Sequence, residues 1–105
     1  MIEIEESNGN VYKDLGLINA DEMLVKAQLV AKIGEIIKDR CWTQQEAAKI
    51  LGITQPKLSL MLRGQFRGIS EVKMLECLVR LGRNVKIIVG PDKQSAGQVE
   101  VLFAG

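Results

Sequence analysis

The chain contains no histidine. That removes the side chain most often used as a general base near neutral pH and as a metal ligand, so neither catalysis nor a metal site is expected, and nothing calls for a cofactor. Cysteine is scarce. Cys41 and Cys77 lie far apart without a CxxC spacing, and in a chain without an export signal a disulfide is not expected. Both thiols are expected to be reduced and to pack as small hydrophobes. No run approaches the roughly 18 consecutive apolar residues of a membrane span. The opening MIEIEESNGN is acidic, unlike the basic start of a signal or transit peptide. A cytoplasmic location is the expectation.

What remains is ordinary globular material: 105 residues, 47% hydrophobic and 26% charged, enough for one domain with a modest core. The net charge of +1 conceals a division. Residues 1–22 hold Glu3, Glu5, Glu6, Asp14, Asp21 and Glu22 against Lys13 alone, a net −5, while the rest of the chain carries 13 basic and 7 acidic residues, a net +6. An acidic arm on a basic body suggests an anionic partner for the body, with a solubilising tail as the plainer alternative.

Residues 1–18 show no sustained helical period and contain the breaker run SNGN and Gly16, the pattern of a flexible arm. Yet Val11, Tyr12, Leu15, Leu17 and Ile18 form an apolar group within it, which either packs on the domain or docks elsewhere. Asn19, with Glu22 three residues on, is placed to cap a first helix. Val25, Leu29, Ile33, Ile36 and Ile37 then follow a helical period to about Asp39 or Arg40, with Lys26, Lys32 and Lys38 off that stripe.

Thr43-Gln-Gln-Glu46 is a capping box that opens a second helix, Gln44 to Leu51, and Trp42 just before it has the position of a hydrophobic staple. Gly52 and Ile53 lead to Thr54, a cap for a third helix reaching Arg63. Pro56 suits the first turn of that helix, where a missing N–H costs little. Ser70 caps a fourth helix, with Val72, Leu75, Leu78, Val79 and Leu81 as its apolar set and Gly82 as its stop. Beyond it, Val85, Ile87 and Val89, then Val99, Val101 and Phe103, alternate with polar residues across GPDKQSAGQ, which predicts a two-stranded hairpin. The expected fold is mostly α: a bundle of four to five helices with a short C-terminal β-strand pair. Its expected parts are an arm (1–18), a helical domain (19–82) with a helix-turn-helix at 43–64, and a hairpin (83–105).

Two short helices joined by Gly52, Ile53 and Thr54 match the helix-turn-helix unit. Ala48 suits a close crossing, Gly52 a reversal, and Ile53 a plug into the core. Leu58, Met61 and Leu62 turn inward, leaving Gln55, Lys57 and Ser59 towards solvent. The segment TQQEAAKILGITQPKLSLMLRG, Thr43 to Gly64, resembles the DNA-binding unit of the phage-repressor-like (XRE) helix-turn-helix family. The flanks GNVYKDLGL (Gly9 to Leu17) and LVRLGRNVKIIV (Leu78 to Val89) resemble those of XRE-type antitoxins of HigA-like toxin–antitoxin pairs.

The resemblance implies a dimeric repressor of its own operon, with double-stranded operator DNA, a second copy of itself and a toxin protein as partners. On that reading Gln55, Lys57, Ser59 and Leu60 face base edges from the helix that begins at Thr54 and Pro56. Gln44 and the loop residues Arg63, Gln65 and Arg67 then meet phosphates. The second copy is held by the fourth helix and the strands after it, or those strands fold back on their own chain. Val11, Tyr12, Leu15, Leu17 and Ile18 of the acidic arm become the surface for a basic toxin. The rival expectations are an XRE-type regulator without a toxin, and a protein-interaction adaptor of the same fold.

Overall fold

The computed structural model describes residues 19–104. It contains four helices in this stretch: α1, Asn19–Asp39; α2, Gln44–Leu51; α3, Gln55–Leu62; and α4, Glu71–Arg80. The arm, with Val11, Tyr12, Leu15, Leu17 and Ile18, lies outside the described residues. Asn19 is already helical, so α1 does not begin after a cap at that residue.

The long α1 forms the floor, packing against α4 and α3, while α2 packs against α3 and α4. Val25, Leu29, Ile33, Ile36 and Ile37 all point into the core, as their spacing predicts, where they meet Leu51, Leu58, Met61, Met74, Cys77 and Leu81. Ile33, Leu51 and Leu58 retain no solvent exposure. Truncating a side chain so enclosed to Ala typically costs 2–5 kcal/mol, because the lost transfer energy adds to the cavity left behind. Gly34 lets α1 approach α3 closely: a Cβ there would sit 3.4 Å from Leu62 Cδ2.

Helix boundaries follow the local chemistry. Thr43 Oγ1 accepts from the Glu46 N–H at 3.1 Å while Glu46 Oε1 accepts from the Thr43 N–H at 2.8 Å, a complete capping box. Thr54 and Ser70 cap α3 and α4 in the same sense, accepting from the Lys57 and Lys73 N–H groups. All four helices end on one motif. A residue with positive φ follows the last turn, and the next residue's N–H reaches back to the carbonyl five positions earlier: Trp42 to Ile37, Ile53 to Ala48, Gln65 to Leu60 and Arg83 to Leu78. Such closures satisfy carbonyls that would otherwise be orphaned. In three of them the left-handed residue is glycine. After α1 it is Cys41, at φ 57°.

Three expectations need correction. The C-terminal hairpin is not formed: no strand occurs among the described residues, and Val85 to Val101 carry none of the ladder bonds that the alternation anticipates. Instead the segment's end lies across α1, with Val101 partly buried on the core and Phe103 set 4.9 Å from Lys32 Nζ, ring centroid to nitrogen. Alternation gives a segment strand propensity, but a two-stranded pair needs a surface to pack on. In α4 and its C-cap the inward residues are Met74, Cys77, Leu78 and Leu81, whereas Val72 and Val79 are 74% and 56% exposed. Cys41 is exposed rather than packed. Cys77 is buried, and that burial pushes its thiol pKa up, keeping it protonated and inert.

Cys41 carries the left-handed penalty of an L-residue, of order 1–2 kcal/mol, which glycine avoids at some entropic cost in the unfolded chain. Cys41→Gly is expected to stabilise the fold by about 1 kcal/mol, measured as a rise in the denaturant midpoint at unchanged m.

Candidate nucleic-acid interface

The turn between α2 and α3 sets the geometry of the site. Gly52 adopts φ 72°, ψ 31°, a conformation costly for any residue with a Cβ. Its N–H closes α2 on Ala48 and Lys49, and Ile53, partly buried, plugs the turn against the core. Thr54 is extended, so α3 starts in a new direction, and Pro56 occupies its first turn. Ala47 and Ala48 are both buried in α2, so small side chains permit the close approach of the two helices.

Within α3, Leu58 and Met61 are fully enclosed and Leu62 packs on the core. At 100° per residue, the opposite face consists of Pro56 and Leu60, flanked by Ser59 on one side and Lys57 on the other, while Gln55 lies nearer Leu62 but is the first residue of the helix. Gln55, Pro56, Lys57 and Leu60 are exposed, Ser59 partly so. Leu60 is an exposed apolar side chain (39%) on a polar face. Its position suits contact with a methyl group, such as that of thymine. Thr54 is exposed, but its hydroxyl is engaged in capping, which limits it as a ligand.

The remaining candidates are exposed as well. Gln44 is the first residue of α2, where backbone N–H groups are unpaired and favour an anion. Arg63, Gln65 and Arg67 belong to the loop after α3, whose inner side is anchored by the buried Phe66 and Ile69. Lys57, Arg63 and Arg67 make no ion pair with another described residue. No carboxylate among the described residues cancels their charge.

Sequence reading missed the part played by α4. A shallow hollow of about 320 Å³ is lined by Gly52, Ile53, Thr54 and Lys57 from the turn and by Lys73 from α4. Further along α4, Arg80 rests against Gly52, its Cζ only 3.0 Å from where a Cβ would be. Glu76 lies between the two cations, accepting from Lys73 Nζ at 3.4 Å and from Arg80 Nε at 3.3 Å. The hydrogen bond from Lys73 and its charge, then Arg80, hold the Glu76 carboxyl below its usual pKa. The i, i+3 and i, i+4 spacings of Lys73, Glu76 and Arg80 were visible in the sequence, but their position beside the turn depends on how α4 packs against α2.

Residues 11–90 match the family described as "Helix-turn-helix domain". A solved structure named "Putative XRE Family Transcriptional Regulator" superposes with a TM-score of 0.75 at 27% identity, covering 83% of this chain and 100% of that one. No curated protein matches the chain. The chain belongs to the helix-turn-helix domain family, with α2 and α3 as the paired helices.

Gly52→Ala is expected to destabilise the protein by about 1–2 kcal/mol, measured by chemical denaturation. Adding Arg80→Ala removes the close contact but not the backbone strain, so the double variant should recover only part of that loss.

Proposed function

We propose that the protein is a sequence-specific, DNA-binding transcriptional repressor, working as a homodimer in the cytoplasm, and that it is the antitoxin of a toxin–antitoxin pair. The observation that carries the DNA-binding reading is the outer side of α3: Gln55, Lys57 and Leu60 exposed and Ser59 partly so, on a helix whose inner side is locked into the core by Leu58 and Met61. A recognition helix in the major groove requires this division between a rigid inner side and a hydrogen-bonding outer one. Gln55 suits a bidentate pair with adenine, worth about 1–3 kcal/mol in discrimination. Lys57 supplies donors for guanine or phosphate, and Gln44, Arg63, Gln65 and Arg67 bind phosphates. The solved XRE-family regulator described above supports the same reading.

A second copy is needed because one unit reads few bases, and a two-fold dimer engages half-sites about 34–36 Å apart. Val72 and Val79 on α4, with Ile87, Ile88 and Val89 after it, are exposed apolar side chains suited to such a contact. The antitoxin role rests on the acidic and apolar arm, whose charge complements a basic toxin. A regulator of the same fold without a toxin is the alternative. An adaptor without DNA binding is disfavoured by Lys57, Arg63 and Arg67, which lie exposed together with the outer face of α3 and make no ion pair with another described residue.

Three outcomes test this reading. Gln55→Ala should weaken binding to a selected duplex and relax preference at one base position, as read from binding to a randomised pool; an unchanged preference removes Gln55 from the readout. Affinity should fall steeply with salt as phosphate contacts release counterions; a flat response measured by fluorescence anisotropy favours the adaptor. Deleting residues 1–18 should preserve DNA affinity but abolish protection of cells from the product of the neighbouring gene. Protection by the truncated chain would rule out the arm.

A further inference from the structure

Lys26 lies off the apolar stripe of α1, and its charge leads one to expect solvent. It is instead buried, with 3% of its surface exposed. Its Nζ donates to the backbone carbonyl of Arg67 at 2.8 Å, across 41 residues of sequence, and Glu22 Oε2 lies 3.6 Å away. A lysine is rarely so enclosed unless its ammonium group has partners, and both partners here are specific.

The carbonyl it grips belongs to the loop that carries Gln65 and Arg67. This loop has two glycines about its centre. Gly64 has φ 89°, and a Cβ at Gly68 would meet nothing within 4 Å. Phe66 and Ile69 hold its inner side by burial, and the Gln65 N–H is tied to Leu60 O at 2.9 Å. The Ile69 N–H also donates to Phe66 O at 3.0 Å, closing a turn with Arg67 and Gly68 at its centre. The Lys26 ammonium ties that turn's outer carbonyl, Arg67 O, to α1, and by anchoring the turn it sets the direction in which the exposed Arg67 side chain leaves the loop.

We infer that Lys26 is a positioning residue for DNA binding: buried in α1 and paired with Glu22, it holds the Arg67 carbonyl so that the Arg67 guanidinium is aimed at a phosphate. The inference rests on the DNA-binding reading above and adds to it a residue that never touches the nucleic acid. A side chain that merely fills space would affect stability. One that aims a phosphate contact also affects the number of counterions released.

The test uses the full chain and a duplex selected from a random pool by the wild-type protein, with affinity measured across a salt series. Arg67→Ala should reduce the slope of log K against log salt by about 1. Lys26→Met, which keeps the apolar stem, should cause the same reduction, and the double variant should lose no more than either single one, as expected for two residues acting through one contact. Lys26→Arg should retain most of the wild-type slope. The inference is overturned if Lys26→Met leaves the slope unchanged, if the two effects add, or if Arg67→Ala does not alter the slope. A wild-type chain that binds no duplex at any salt concentration instead refutes the underlying DNA-binding reading. Should Lys26→Met not fold, the wild-type chain gives the answer by NMR. A coupling across the hydrogen bond from Lys26 Nζ to the Arg67 carbonyl carbon, present in the DNA complex, supports the positioning role, and its absence there overturns it.

Discussion

Everything functional in this protein depends on α3 being held by one side only. Leu58 and Met61 are enclosed in the core, where α3 packs against α1 and α2, and they fix the rotation of a helix just eight residues long. A helix this short has little stability of its own in water. Its geometry is imposed by tertiary packing, by the Thr54 cap and by the left-handed turn at Gly52. Because these constraints act on the inner side and the two ends, the outer face is free to carry polar groups without structural duties.

The same economy recurs at the helix ends. Each is closed by a positive-φ residue and a bond back to the carbonyl five positions earlier, so short helices succeed one another through tight connections without orphaned backbone groups. The connection between α3 and α4, Arg63–Ser70, is the longest. It is also where the fold spends its one buried lysine among the described residues. A loop meant to present cations to a phosphate chain gains from a fixed backbone, since ordering it only on binding would weaken the complex.

Much of this was legible in the sequence, because capping chemistry is local. Thr43, Thr54 and Ser70 announced three helix starts, Gly52, Gly64 and Gly82 three helix ends, and the spacing of Val25 to Ile37 the buried side of α1. What failed to show depended on distant partners. In α4 apolar residues occur on several faces, so periodicity alone could not tell the buried Met74 and Cys77 from the exposed Val72 and Val79. Alternation in 85–103 recorded strand propensity but not the absence of a pairing partner within the described chain. The inward turn of Lys26 depends on a carbonyl 41 residues away, which no local pattern announces. The exposed face of α3 was legible for the opposite reason: once the inward residues were identified, the outward ones followed from helical geometry.

The central claim, that the outer face of α3 and the loop after it form one DNA-binding surface, is tested most directly by an NMR titration of the full chain with duplex DNA at low salt. The account predicts that the largest backbone and side-chain shift changes fall on Gln44, Gln55 to Leu60 and Arg63 to Arg67, while the outer face of α1 around Gln28 to Glu35 stays unperturbed. Changes centred on α1, or no changes at all at DNA concentrations that saturate nonspecific binding by basic domains, would contradict it.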